Sequence, residues 1–265
     1  MKFVMFFVDG HTTSPFDTNF RRWIFLADHV PSARRQLKEQ AMLVFERLSS
    51  GETDWSELAP KALIVAGWTG RDEKALRHHI EELAAIGVPR PSSVPVFYRI
   101  STANLTQTAH LEVLGPDTSG EAEPVVVAMH DGLWLGVGSD HTDRKLETMG
   151  VALSKQFCAK MVGKTLWRLD EIAGHWDQLI LRAYVTIDGK RLKYQEGPLS
   201  AMRNPSDLMS RAGTEFVAGT VMFCGTLGAI GGIRPAAQFT ALIEDPVLGR
   251  EMSCEYDVKV LPVVR

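Results

Sequence analysis

Residues 121–147 read EAEPVVVAMHDGLWLGVGSDHTDRKLE, and the way this stretch folds back on itself decides what the rest of the chain must do. Residues 125–129 are apolar and largely β-branched, Asp131-Gly132 is a dipeptide favoured in two-residue hairpin turns, and residues 133–137 form a second apolar run. With Asp131 and Gly132 as the loop, His130 pairs with Leu133. Counting back along the ladder then sets Glu123 opposite Asp140 and Glu121 opposite Thr142. Side chains alternate along a strand, so Glu121 and Glu123 share a face. Three carboxylates within about 5–8 Å of one another repel unless a cation lies between them. An all-oxygen ligand set suits magnesium, manganese or calcium better than zinc. The plainer reading makes Glu121 and Glu123 the solvated end of an edge strand. A slip of one residue in the register would send them to the other face.

At 265 residues the chain can bury a substantial core. Apolar residues make up 45% and charged residues 23%, ordinary values for a globular protein, and the net charge of -3 gives no general attraction to nucleic acid or acidic membranes. Cys158, Cys224 and Cys254 form neither a disulfide framework nor a paired zinc motif, which suits a reducing compartment, and the expected location is cytoplasmic. The opening MKFVMFFVDG breaks at Asp9-Gly10 without a small-residue cleavage site and reads as a first strand. No apolar stretch approaches the roughly 20 residues needed to span a bilayer.

In residues 32–50, Leu37, Ala41, Val44 and Leu48 fall on one helical stripe and Gly51 supplies a stop, which predicts an amphipathic helix. The run ALIVA at 62–66 predicts a strand, followed through GWTGR by a second helix capped by Asp72 and ended by Gly87 and Pro89. On that helix His79 falls beside the apolar stripe of Leu76, Ile80 and Leu83, with Glu82 its neighbour at i+3, whereas His78 points away. Beyond Pro89 short β-rich runs dominate, among them VPVFYRI, LILRAYVTI before Asp188-Gly189, TVMFCGTL, QFTALIED and YDVKVLPVV. The expected division is a small N-terminal strand-plus-helix region, 1–60, and a mostly β domain, 61–265.

The order of these segments resembles the fumarylacetoacetate hydrolase superfamily, metal-dependent enzymes acting on small oxo-acids, from about Lys61 to the C-terminus. KALIVAGWTGRD followed by HHIEEL and VPRPSSVPVFYRIS resembles that family's opening strand, its His-x-x-Glu segment and its proline-flanked phenylalanine strand. EAEPVVV resembles the Glu-x-Glu strand and SDHTDRKLE the segment written NDxSxRDxQ. LSKQF resembles the lysine-bearing KxF segment, IDGKRLKYQ resembles vNGxxxQ, and VMFCGTLGAIGG resembles the glycine-rich TGTPxG turn, all in the same order. Within the superfamily the match resembles an uncharacterised bacterial branch. Ser139 stands for the usual Asn, Lys145 for Asp, Cys224 for the first Thr of TGTP and Leu227 for its Pro.

The resemblance implies an α+β, predominantly β fold, a mixed β-sandwich and roll with a few peripheral helices. It implies Glu121, Glu123 and Asp140 as ligands of Mg2+ or Mn2+, with Ca2+ as a substitute in crystals. It also implies His79, Glu82 and Lys155 as catalytic residues, and a homodimer. Arg144, Gly225 and Thr226 become candidates to hold a small oxo-acid substrate; for Arg144 a structural ion pair with Asp143 or Glu147 ranks first, and for the glycines a tight turn is an equal reading. The implied reaction is hydrolysis of a carbon–carbon bond through a metal-stabilised enolate. A decarboxylase or hydratase on the same site and a catalytically silent binder of anionic metabolites are the rival readings. A lone His79 beside an apolar stripe is, on its own, more often a packing or surface residue than a catalyst.

Overall fold

A computed structural model describes residues 42–85 and 90–264. Its strands are β1 (Leu43–Ser49), β2 (Glu52–Leu58), β3 (Ala62–Gly67), β4 (Val96–Ile100), β5 (Leu105–Thr106), β6 (His110–Leu114), β7 (Thr118–Ser119), β8 (Ala122–Met129) and β9 (Gly132–Asp140). They continue with β10 (Thr142–Asp143), β11 (Lys160–Val162), β12 (Thr165–Arg168), β13 (Ile180–Ile187), β14 (Lys190–Pro198), β15 (Thr220–Phe223), β16 (Gln238–Asp245) and β17 (Arg250–Leu261). The α-helices are α1 (Glu73–Ala85), α2 (Arg144–Glu147), α3 (Val151–Phe157), α4 (Leu169–Ile172) and α5 (Pro205–Arg211).

Ten strands form one sheet along the path β2-β1-β12-β9-β8-β15-β3-β4, with β11 pairing to β9 and β5. A second sheet runs β14-β13-β16-β17-β6. Leu135, Val137, Met161 and Trp167 of the first sheet meet Leu181, Ala183, Phe239, Ala241 and Tyr256 of the second in one buried cluster, which makes the sandwich. On its other face the larger sheet curls on itself. Leu43 and Phe45 of β1 share a second cluster with Leu63 and Val65 of β3 and Ile100 of β4, although these strands stand far apart along the path. The central strands are thus covered on both faces, which is why β8 is buried along its whole length. This is the expected β-sandwich and roll with peripheral helices.

Two expectations are corrected. The helix predicted over 32–50 is a strand from Leu43 onward, with residues 32–41 outside the described part. Leu43 and Phe45 are buried while Val44 is exposed, a period of two rather than 3.6. Ser50 (φ 52°) and Gly51 (φ 80°) form a two-residue turn that pairs Ser49 with Glu52. The β1–β2 hairpin joins β12 in the large sheet, so residues 43–58 belong with the β region and not with a separate N-terminal piece. The strand expected at the N-terminus lies outside the described residues.

The second correction concerns register. The β8–β9 loop is His130-Asp131, with Met129 opposite Gly132, so Glu123 faces Gly138 and not Asp140. The ladder has moved by two residues, and parity is preserved. Helix α1 begins where Asp72 implied, its carboxylate accepting the Lys74 amide at 2.9 Å. Asp188 (φ 51°) and Gly189 (φ 72°) make the expected turn between β13 and β14. Among the described residues no helix is long and apolar enough to cross a membrane, and all three cysteines are free and buried.

Candidate metal centre

Glu121 and Glu123 have the same parity as Val125 and Val127, which point into the interior of the curled sheet. Glu121 stands across from Asp140, whose amide donates to the Glu121 carbonyl at 3.0 Å. The three acids therefore meet at the end of the roll, and one carboxylate oxygen from each lies within 4.8 Å of the others. Gly138 lies between them in the ladder for a steric reason. A Cβ there would come 2.4 Å from the carbonyl oxygen of Met161 and 2.8 Å from Phe223.

Two lysines close the centre. Lys155, on the buried side of α3, donates to Asp140 Oδ2 and, at 3.3 Å, to Glu121 Oε2. Lys160, opposite Asp140 in the β9–β11 pair, stands 2.8 Å from Asp140 Oδ1 and donates to the His141 carbonyl at 2.7 Å. Oδ1 is fully buried, and the Lys160 ammonium is the cation beside it. Burial alone would raise the Asp140 pKa, but the two ammonium groups outweigh it and bring it to about 2. Burial, then repulsion from Asp140, pushes Glu123 well above the usual carboxylate range. Burial works to lower the Lys155 pKa, yet Asp140 and the two glutamates hold it above its ordinary value.

The glycine-rich turn serves this centre through its backbone. Gly225 (φ 98°) donates its amide to Glu123 Oε2 at 2.7 Å, and a Cβ at that position would lie 1.8 Å from Thr69 Oγ1. Thr226 donates its hydroxyl to the Ala122 carbonyl at 2.8 Å and accepts from Gln195 Nε2 at 2.7 Å. The Gln195 carbonyl oxygen takes the Ala122 amide at 3.0 Å. Arg144 contacts Glu121 at 3.1 Å, Glu147 at 3.0 Å and Ser119 Oγ at 2.7 Å. It does not pair with Asp143, whose carboxylate caps α2 through the Leu146 amide. Arg144 also lines a cavity of about 370 Å³ with Thr118, Ser119, Lys145 and Arg234. A larger cavity of about 690 Å³, between Arg71, Arg168, Trp176 and Met209, contains none of the acids.

His79 and Glu82 lie on α1, and their side chains are outside the described part of the structure. Lys160, Tyr256 and His141 were not singled out from the sequence, whereas Gln195 closes the segment resembling vNGxxxQ and Ser139 was noted as a departure, neither with a role; Ser139, Tyr256 and His141 form a buried chain. Tyr256 donates to Ser139 Oγ at 2.8 Å, and Ser139 Oγ also accepts the Glu121 amide at 3.2 Å. The His141 ring bridges Tyr256 and Thr118, both at 2.9 Å. Burial, aided by Lys160 and Arg144, lowers the His141 pKa to about 3, so the ring is neutral.

This donor set fits a hard divalent cation. All three ligands are carboxylate oxygens, and among the described residues the buried Glu123 carboxylate accepts one hydrogen bond, from the Gly225 amide. Residues 66–256 match the family described as protein of unknown function (DUF2848). The chain belongs to the DUF2848 family. None of the curated proteins matches it. Among solved structures, this DUF2848 chain is similar to Cg1458 at 14% identity, with a TM-score of 0.54 over 80% of this chain and 85% of that one. It is similar to 2-keto-3-deoxy-D-arabinonate dehydratase complexed with magnesium and 2,5-dioxopentanoate at 17% identity and a TM-score of 0.56, over 89% and 83% of the two chains. Yeast ynq8, a fumarylacetoacetate hydrolase family protein, aligns at 14% identity and a TM-score of 0.54, over 77% and 95%. At these identities the likeness establishes the fold, and the DUF2848 chain has the fold of fumarylacetoacetate hydrolase family proteins.

Proposed function

We propose that the chain is a divalent-metal-dependent enzyme that acts on a small 2-oxo or 1,3-dioxo carboxylic acid and hydrolyses a carbon–carbon bond. The observation that carries this reading is the convergence of three carboxylates within 4.8 Å beside the buried Lys155. Glu121, Glu123 and Asp140 hold magnesium or manganese. When bound, such an ion supplies Lewis acidity toward the adjacent oxo and carboxylate oxygens of the substrate. Lys155 provides a buried positive charge that neutralises the enolate as the bond breaks. His79 takes a proton from water and Glu82, three residues on, orients the imidazole and raises its basicity; this pair rests on the sequence resemblance. Arg144, beside the smaller cavity, is the candidate partner for a substrate carboxylate, and the Gly225-Thr226 turn meets the site through the Gly225 amide on Glu123. A homodimer belongs to this reading.

The shared fold with a dehydratase complexed with magnesium and 2,5-dioxopentanoate supports metal-dependent chemistry on a small oxo-acid. Decarboxylation or dehydration would use the same acids and the same lysine. The distinguishing experiment incubates manganese-loaded protein with acylpyruvates and with oxaloacetate and analyses the products. Pyruvate with a free carboxylic acid from an acylpyruvate supports hydrolysis. Carbon dioxide from oxaloacetate alone moves the assignment to a decarboxylase, and no turnover with any oxo-acid favours a silent binder.

A further inference from the structure

Asp140 has two ammonium partners where one would balance its charge, and the two are tied into the protein differently. Lys160 is fully buried, lies opposite Asp140 in the strand pair, and has a second acceptor in the carbonyl of the next residue, His141. It is part of the sheet. Lys155 is carried by a seven-residue helix, and both of its acceptors are carboxylates of the candidate metal ligands, Asp140 Oδ2 and Glu121 Oε2. A dication taken up by the three acids competes with Lys155 for those oxygens and leaves the contact between Lys160 and Asp140 Oδ1 less affected. A buried ammonium displaced from its carboxylates needs another anion, and a buried carboxylate deprived of every cation is unfavourable.

We infer that Lys160 is a positioning residue that stays as the fixed counter-cation of Asp140 and thereby frees Lys155 to engage the anionic part of the substrate. The inference rests on the functional reading above, because it takes the acids to be ligands and Lys155 to face substrate. Lys160 lies outside the segments that carry the family resemblance. The observation behind its role is its contact with Asp140. If Lys160 merely fastens β11 to β9, its loss lowers stability without coupling to Lys155.

The test is a double-mutant cycle on the full chain loaded with Mn2+, with oxalate as the probe and calorimetry as the readout. Lys155→Met should weaken oxalate binding by about tenfold or more, and Lys160→Met should weaken it about as much, with Mn2+ affinity falling less than oxalate affinity. The double variant should then be no weaker than Lys155→Met alone. Oxalate affinity unchanged in Lys160→Met, or losses that multiply in the double variant, overturns the inference while leaving the metal centre standing. Wild-type protein that fails to bind Mn2+ removes the functional reading and this inference together. Lys160→Gln keeps a donor to the His141 carbonyl without the charge and should reproduce the Lys160→Met result. If neither variant folds, Lys160 belongs to the fold and the inference is overturned.

Discussion

Asp140 and Glu121 face each other where the β8–β9 hairpin ends, joined by a 3.0 Å hydrogen bond from the Asp140 amide to the Glu121 carbonyl. That pairing lies two residues from the one expected of an Asp131-Gly132 loop, and the even offset is what keeps all three acids on one face. An odd slip would have carried Glu121 and Glu123 away from Asp140. Glu123 is the most deeply buried of the two glutamates, and its replacement is the sharpest test of the cluster. Glu123→Ala is expected to abolish metal-dependent stabilisation and turnover together, as read by melting curves with and without Mn2+. Retained metal affinity would remove Glu123 from the ligand set.

The pH dependence of the metal-stripped protein has a definite sign. Glu123 titrates well above its ordinary 4.5 in the fold because of burial and then Asp140. Its stabilising contribution is therefore fully present below 4.5 and is lost as pH rises toward the folded pKa. Asp140 acts the other way, contributing above 3.8 and losing that contribution only as pH falls toward about 2. Urea denaturation of the metal-stripped protein should show Glu123→Gln gaining on wild type as pH rises above 4.5. A constant difference across that range contradicts the assignment.

Gly225 is required by both conformation and space. At φ 98°, with Thr69 Oγ1 1.8 Å from where a Cβ would sit, Gly225→Ala should cost about 2–4 kcal/mol. Because the Gly225 amide holds Glu123, metal affinity should fall as well. Chemical denaturation with and without Mn2+ measures both effects. A stable variant with unaltered metal binding would show that the turn tolerates a side chain.

Gln195 ties β14 to β8 and to the glycine-rich turn at once. Gln195→Ala leaves the Ala122 amide without its acceptor and Thr226 without its donor, a loss of about 2–4 kcal/mol. The measurement is again equilibrium unfolding, and a loss below about 1 kcal/mol would mean that water replaces the amide.

His79 is tested against its neighbour. His79→Ala should leave Mn2+ affinity nearly unchanged and lower turnover of the active oxo-acid by about 10²–10⁴-fold. His78→Ala should leave turnover unaffected. Damage from His78→Ala instead would show that the helix presents the other histidine.

What the sequence carried, and what it did not, follows from the range of the interactions involved. The hairpin, the Asp72 cap and the Asp188-Gly189 turn depend on neighbouring residues and were legible. The turn at residues 130–132 was decided elsewhere. The Asp131 carboxylate binds Arg47 at 2.7 Å and the Trp134 indole at 3.1 Å, and Gly132 leaves room for the Arg168 guanidinium, which would lie 2.8 Å from a Cβ. Leu37, Ala41, Val44 and Leu48 mimic a helical stripe, but Phe45 is wanted in the roll and Arg47 over the Trp134 ring at 4.6 Å, so the segment extends into the sheet. Lys160 was illegible because the β9–β11 register spans β10, two helices and the loops between them. Nothing in AKMVG marks a lysine that will face an aspartate.

The most direct measurement is a thermal shift of metal-stripped protein against Mg2+ and Mn2+, each with and without oxalate. A metal centre built by Glu121, Glu123 and Asp140 predicts stabilisation of about 2.7 kcal/mol at one hundred times Kd, roughly 5–10 °C for a chain of this size, and a further rise when oxalate joins the metal. No shift with either ion, with or without oxalate, would contradict the metal centre and favour the silent binder.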